Sequence, residues 1–133
     1  MNKPAKIFLS YASSDRVFAA RLSKEIAKTG ARTYDMSSLQ AGEHIFDTFR
    51  KELNAADLFV LLVPPHEGEG RNALFEIGAA KALDKRILAV LPERKRFANS
   101  GFASSLSDFS MLDASNLSMK ALASSIVSSA GPH

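Results

Sequence analysis

A continuous run of apolar residues in the middle of the chain constrains the fold more than any other feature. The run extends from Leu58 to Val63 and is stopped by Pro64 and Pro65. A strand with one face in solvent alternates apolar and polar residues, whereas a strand covered on both faces is apolar throughout. A short apolar run bounded by prolines is typical of a covered strand. The sequence therefore predicts a central strand of a parallel sheet.

Strands and helices alternate along the rest of the chain. The other predicted strands are short apolar or β-branched segments at Lys6–Tyr11, Ala31–Asp35, Arg86–Leu91 and Phe109–Leu112. Four helices are predicted between and after the strands. Apolar residues recur at helical spacing in the first, second and last of them: Phe18, Leu22 and Ile26; Ile45, Phe49 and Leu53; and Met119, Leu122, Ala123, Ile126 and Val127. The third is predicted from about Ala73 to Leu83. Strict alternation implies parallel strands joined by right-handed crossovers. We predict an α/β fold, a flavodoxin-like parallel sheet of five strands in the order 2-1-3-4-5 with helices on both faces.

Local signals mark the ends of the predicted helices. Ser13, Ser14 and Asp15 are residue types that cap a helix N-terminus, and Asn116 is placed to cap the last helix. Gly30 follows the first helix, where a left-handed residue commonly ends one. The basic and then serine-rich stretch from Pro92 to Asp108 shows no sustained period, so we expect it to be irregular.

Length and composition suit one globular domain. The chain has 133 residues, of which 46% are hydrophobic, and we predict a single domain over 1–133 with its core at about 6–130. Cysteine is absent, which excludes thiol nucleophiles and fits a reducing compartment, so a cytoplasmic protein is expected. No stretch approaches the roughly 18 uninterrupted apolar residues of a membrane span, and no membrane partner is expected.

Several other kinds of site are disfavoured by the sequence. The net charge is +3, and the densest basic cluster, Arg94–Arg96, has no aromatic ladder or nucleic-acid motif beside it, so no nucleic-acid partner is expected. Gly68 and Gly70 lack the spacing of a phosphate-binding loop. The three histidines are scattered, which argues against a metal site. The serines after the first strand lack the glycines of a nucleophile elbow.

Glu76 is the strongest candidate for chemistry. In a sheet of the predicted order, ligands bind beyond the carboxyl ends of the strands, where strands one and three meet. The loop Pro64–Asn72 borders this point and leads into the helix whose first turn is predicted to hold Glu76. Its neighbours Ala73–Phe75 and Ile77–Ala80 carry no charge, so an ionised carboxylate there needs a polar cleft or stays protonated. Glu76 could act as acid or base, stabilise a cation or bind a sugar hydroxyl; alternatively it only complements the helix N-terminus or faces solvent.

The ordered set of segments resembles a TIR (Toll/interleukin-1 receptor) domain, particularly the bacterial, NAD-cleaving type. The resemblance is carried by KIFLSYASSDRVFAARLSKEI at Lys6–Ile26, MSSLQAGEHIFDTFRKEL at Met36–Leu53, ADLFVLLVPP at Ala56–Pro65 and RNALFEIGAAKALDKRILAVL at Arg71–Leu91. Many bacterial members of this family cleave the nicotinamide–ribose bond of NAD with a glutamate in the third helix, which matches Glu76. The resemblance implies an NAD glycohydrolase or cyclase whose product is an ADP-ribose-type signal in anti-phage defence.

The resemblance also assigns roles to other positions. The substrate-binding residues it implies are Ser10, Tyr11, Asp35, Phe46, Asn72 and Phe75. The loop Met36–His44 resembles the segment that gates the pocket and takes part in assembly in this family, with Gly42 and Phe46 at its most recognisable positions. Leu39 and Gly42 are the residues of this loop expected to act in gating or assembly. Asn72 departs from the pattern, because many bacterial members carry a tryptophan there and this chain has none; base stacking is then weaker or supplied elsewhere.

NAD is expected as a substrate, with no cofactor and no metal. The expected partners are NAD, other TIR domains through self-association, and a downstream effector or a fused or partner sensor protein. Two alternatives remain open. One is an interaction or adaptor module in which Glu76 has no chemistry. The other is a nucleoside deoxyribosyltransferase-like enzyme, because FEIGAAKAL at Phe75–Leu83 is similar to the segment that carries the nucleophilic glutamate of that family.

Overall fold

The computed structural model describes residues 4–35, 45–65, 71–93 and 110–131. Its elements, in chain order, are β1 (Lys6–Ser10), a 3₁₀ turn (Ser13–Asp15), α1 (Arg16–Lys28), β2 (Arg32–Tyr34), α2 (Ile45–Ala55), β3 (Leu58–Leu62), α3 (Arg71–Ala82), β4 (Ile87–Leu91), β5 (Ser110–Asp113) and α4 (Met119–Ser129). The five strands in these ranges form one parallel sheet in the order β2-β1-β3-β4-β5. The predicted fold and strand order are confirmed.

Helices cover both faces of the sheet, as the apolar run at β3 requires. All five residues of β3 are buried. On one face, Leu22 of α1 and Ile126 of α4 share a buried cluster with Val60 of β3. On the other face, Phe49 of α2 and Ile77 of α3 belong to a second cluster that also contains alternate residues of β1, β3 and β4. Because side chains of a strand alternate between faces, β1 and β3 contribute to both clusters.

The predicted helix stop is confirmed, and the predicted N-caps are confirmed in position at α1 but not at α4. Gly30 has φ +93° directly after α1 and its C-cap residue. Asp15 occupies the N-cap position of α1, but its side chain makes no capping bond. Its main-chain nitrogen donates to Ala12 O at 2.8 Å in the turn before the helix. At α4 the cap is Ser118, whose hydroxyl accepts a hydrogen bond from Ala121 N. Asn116 instead lies inside the tight turn that precedes the cap.

Two basic residues before β4 bind the carboxyl ends of helices on opposite faces. Lys85 Nζ donates to Asn54 O at 2.6 Å and to Ala56 O at 2.9 Å, at the end of α2. Arg86 Nη1 donates to Ser129 O at 2.5 Å, the last residue of α4. A cation at a helix C-terminus satisfies carbonyls that have no partner within the helix and complements the helix dipole. These contacts lie at the amino ends of the strands.

Candidate active site at the carboxyl ends of β1 and β3

Ser10 and Glu76 meet where β1 ends. Ser10 is the last residue of β1, lies opposite Leu61 of β3 in the register, and is only 4% exposed. It follows Phe8 by two residues, so its side chain shares the sheet face covered by α2 and α3. Its hydroxyl donates a hydrogen bond to Glu76 Oε2 of α3. The structure therefore brings together the candidate catalytic carboxylate and one of the residues expected to bind substrate.

The position of Glu76 within α3 corrects one expectation. The helix begins at Arg71, so Glu76 lies in its second turn and not in its first. The electrostatic effect of a helix terminus falls off within the first turn. Complementing the helix N-terminus is therefore a poor explanation for this carboxylate. Glu76 also does not simply face solvent, because it is partly buried and bonded to Ser10.

Burial raises the pKa of Glu76 above its ordinary value of 4.5, and the hydrogen bond from Ser10 partly opposes that rise. Desolvation penalises the charged carboxylate, whereas a donor aimed at the carboxylate favours it. A carboxyl group whose pKa is moved toward neutrality in a cleft is a common feature of catalytic sites. In its ionised form such a group can stabilise an adjacent cation or orient a hydroxyl group of a substrate.

Tyr11 and Asp35 form a second polar pair at the carboxyl ends of β1 and β2. The Tyr11 hydroxyl donates to Asp35 Oδ2 at 3.0 Å. Tyr11 directly follows β1 and packs against the core on the α1 and α4 face, while Asp35 directly follows β2. The pair thus joins the carboxyl ends of two neighbouring strands. The structure brings together two more residues expected to bind substrate.

Phe75 precedes Glu76 but points elsewhere on α3. Successive residues of a helix are about 100° apart around its axis, so Phe75 and Glu76 cannot share one direction. The Phe75 ring lies 5.7 Å from that of Phe49 in α2, between ring centroids, and remains 56% exposed. Phe49 had been predicted only as a core residue of α2. Its place in the helical stripe gave no signal that it would support an exposed aromatic ring next to Glu76.

The remaining expected site residues are not described at side-chain level. Phe46 and Asn72 belong to α2 and α3, but their side chains lie outside the described structure, as do Leu39 and Gly42 altogether. Within the described ranges, no group of three or more His, Asp or Glu side chains is arranged to hold a metal ion. None of the helices described is long and apolar enough to cross a membrane.

Comparisons with known proteins agree with this fold. A family model for the TIR domain matches residues 7–124, and a search of curated proteins finds no match. The fold is similar to that of the RPS4 and RRS1 TIR domain heterodimer, with TM-score 0.62, 15% identity and coverage of 93% of this chain and 94% of that one. It is also similar to the TIR domains of the activated Roq1 resistosome, with TM-score 0.59, 16% identity and coverage of 97% of this chain and 86% of that one.

A third similar structure is an enzyme. The Clostridium botulinum CMP N-glycosidase BcmB has TM-score 0.61 and 17% identity, with coverage of 91% of this chain and 96% of that one. At these identities the structural likenesses show the fold alone. The family model, in contrast, extends over most of the sequence, from β1 into α4. This chain therefore belongs to the TIR domain family.

Proposed function

We propose that this TIR domain hydrolyses the bond between nicotinamide and ribose in NAD, with Glu76 as its catalytic carboxylate. The observation that carries the proposal is the Ser10–Glu76 hydrogen bond at the carboxyl ends of the strands, around a carboxyl group whose pKa is raised by burial. The cleft beyond these strand ends is where open parallel sheets bind their ligands. The existence of an N-glycosidase with this fold, BcmB, agrees with chemistry at an N-ribosyl bond.

The proposed reaction needs a negative charge next to the ribose. As the C1′–N bond of NAD breaks, its electron pair stays with the nicotinamide nitrogen, which becomes neutral, and positive charge develops on the ribose. Ionised Glu76 stabilises this cationic state and orients a ribose hydroxyl, while Ser10 holds the carboxylate in place. Water then adds to C1′ and releases a proton, giving ADP-ribose. If a nucleophile of the same molecule adds instead, the product is cyclic.

The other expected site residues take supporting roles in this proposal. Tyr11 and Asp35, held together by their hydrogen bond, form a polar wall beside the ribose. Phe75 offers an exposed aromatic surface one residue from Glu76. Phe46 and Asn72 are also proposed to bind the substrate. Leu39 and Gly42 are proposed to act in the loop that gates the pocket. NAD enters as a substrate, and the proposed reaction uses no metal or additional cofactor.

The biological setting is part of the same proposal. We infer that the domain self-associates, which the heterodimeric and resistosome assemblies of the similar TIR domains support. Its product would act as a signal to a downstream effector in bacterial anti-phage defence, with a fused or partner sensor as the trigger. A chain without cysteine is compatible with the reducing cytoplasm, where we place this activity.

Glu76→Gln tests the assignment of the catalytic residue. Gln retains the size of the side chain and can still accept from Ser10, but it has no charge. We expect nicotinamide release from NAD to fall about 100-fold to 10,000-fold, the usual contribution of such a group. Products are followed by mass spectrometry at high protein concentration. Glu25→Gln makes the same chemical change on the surface of α1 and should leave the rate unchanged. Full activity of a folded Glu76→Gln variant would remove this residue from the mechanism.

An N-glycosidase or deoxyribosyltransferase acting on another nucleotide is the second candidate. The same Ser10–Glu76 pair would serve any N-ribosyl bond, and the fold is shared with a CMP N-glycosidase. Separate incubations with NAD, with CMP, and with a deoxynucleoside plus a free base distinguish these activities. If none of the three substrates is consumed at high protein concentration, the adaptor function, in which TIR contacts alone matter, becomes the better explanation.

A further inference from the structure

A separate cavity of about 290 Å³ lies at the opposite end of the sheet. It is lined by the first three residues of β1, by all three residues of β2, and by Glu52 and Ala56 in and after α2. Along β1 its lining runs from Lys6 to Phe8, so it ends two positions, or about 7 Å at the usual strand rise, before Ser10. Its lining includes neither Ser10 nor Glu76, so the cavity is distinct from the site formed by that pair.

Cations and aromatic rings follow one another along the cavity wall. Lys6 lies opposite Arg32 in the register of β1 and β2, and Phe8 lies opposite Tyr34. By strand alternation all four side chains lie on the face covered by α2. The rings of Phe8 and Tyr34 are 5.6 Å apart between centroids, with Phe8 fully buried and Tyr34 partly exposed. Glu52 of α2 adds one carboxylate to the lining.

The charges of this cavity are not used to stabilise the fold. Other cations at this end are engaged, since Lys85 and Arg86 bind the carboxyl ends of helices. In contrast, across the described ranges no hydrogen bond or ion pair involves the side chains of Lys6, Arg32 or Glu52. Asp57 lies nearby, but its carboxylate accepts from the main-chain nitrogen of Lys6 at 2.9 Å. Two neighbouring cations therefore remain available to an anion.

We propose that this cavity binds a mononucleotide, through both its phosphate and its base. Arginine and lysine on adjacent strands are about 4.8 Å apart at the backbone, so both side chains can reach one phosphate group. The partly exposed Tyr34 offers a ring for the base to stack on. Glu52 can accept from a ribose hydroxyl or an exocyclic amine. The volume is at the lower end of the range for small-molecule sites, roughly 300–1,000 Å³.

Calorimetric titration of the wild-type chain with AMP tests the proposal without any turnover. We expect one AMP per chain and a loss of affinity with added salt, because the phosphate is held by charges. Arg32→Glu should weaken binding at least about 10-fold, since hydrogen bonds between charged groups are the stronger ones. Arg21→Glu, on the exposed surface of α1, makes the same charge change and should leave binding intact. Glu76→Gln should also leave AMP binding intact, because Glu76 does not line the cavity.

Two further titrations separate the parts of the ligand. Inorganic phosphate and adenosine should each bind more weakly than AMP. Tyr34→Leu should reduce the affinity for AMP more than the affinity for phosphate. Folding of each variant is checked by circular dichroism. Absence of AMP binding to the wild type, equal binding by folded Arg32→Glu, or adenosine binding as tight as that of AMP would overturn the proposal. A failure of NAD cleavage would leave this result unaffected, because the titration involves no NAD.

Discussion

At the scale of single residues, the burial of Glu76 should reduce the stability of the folded protein at neutral pH. Its folded pKa is raised above the ordinary value, so the folded state binds the proton more tightly than the unfolded state does. The resulting stabilisation is fully present below the ordinary pKa and is lost as the pH rises through the folded value. Glu76→Gln carries no charge at any pH, so it should be more stable than wild type at pH 7 to 8 but not at pH 4.

Urea denaturation from pH 4 to pH 8 measures this difference. Glu25→Gln is the matched control, since Glu25 lies on the surface of α1 and pairs with Lys28. A stability difference between Glu76→Gln and wild type that is the same at every pH would contradict the expectation. The assay reports on the carboxyl group whether or not the protein cleaves NAD.

Ser10 should set the pH at which Glu76 becomes ionised. Its hydrogen bond lowers the pKa of Glu76 against the opposing effect of burial. If ionised Glu76 is the active form, NAD cleavage falls as the pH falls through that pKa, which burial raises above the ordinary value. Ser10→Ala removes the donor, so this acidic limb should move to higher pH and part of the lost activity should return in alkaline buffer. The measurement is the pH profile of nicotinamide release, with Ser124→Ala on the exposed face of α4 as control. If the acidic limb of the pH profile lies at the same pH in Ser10→Ala as in wild type, Ser10 does not set the ionisation of Glu76.

Candidate residues for the site could be predicted from the sequence, but the contacts among them could not. Glu76 stood out because its neighbours in the chain carry no charge, whereas Ser10 was expected at the site only from the family resemblance. The pairing of Tyr11 with Asp35 depends on the register between β1 and β2, which no local pattern specifies. The helix-terminus explanation of Glu76 is a poor one because α3 begins at Arg71, before the start predicted at about Ala73.

At the scale of the helices, Asp84 has a backbone conformation that a glycine would adopt more easily. It follows α3 with φ +55°, and the end of the helix is closed by Lys85 N bonding to Ala80 O at 2.9 Å and Asp84 N to Lys81 O at 3.0 Å. A left-handed conformation costs roughly 1–2 kcal/mol for a residue with a β-carbon, less for aspartate. Asp84→Gly should therefore raise the free energy of unfolding by about 0.5–1 kcal/mol, and Asp84→Val should lower it by about 1–2 kcal/mol.

Gly30 provides the reverse experiment at the end of α1. It has φ +93°, and an added β-carbon would meet no atom within 4 Å. Gly30→Ala should thus destabilise through backbone strain alone, by about 1 kcal/mol in chemical denaturation. For the turn after α3, equal effects of Asp84→Gly and Asp84→Val on the free energy of unfolding would argue against backbone strain at Asp84. The sequence predicted the glycine stop but not Asp84, because aspartate is found in many turn positions.

At the scale of the whole molecule, the sheet was predictable because burial on two faces leaves a strong pattern. The apolar run at β3 and the helical stripes on either side fixed the class of fold, and the strand order followed from alternation. The cavity at the amino ends was not foreseen. Lys6 and Arg32 are unremarkable single charges in the sequence, and only the pairing of β1 with β2 places them side by side.

Assembly is the last property that the proposed function requires. If a neighbouring protomer helps to complete the site, the rate of NAD cleavage per chain should rise with protein concentration. Dilute wild-type protein should also be activated by an excess of Glu76→Gln, because the inactive variant still offers its surface to the wild-type chain. Nicotinamide release per wild-type chain is the measurement, and an equal mass of serum albumin is the control for crowding. A rate per chain that neither concentration nor the variant changes would mean that each protomer holds a complete site of its own.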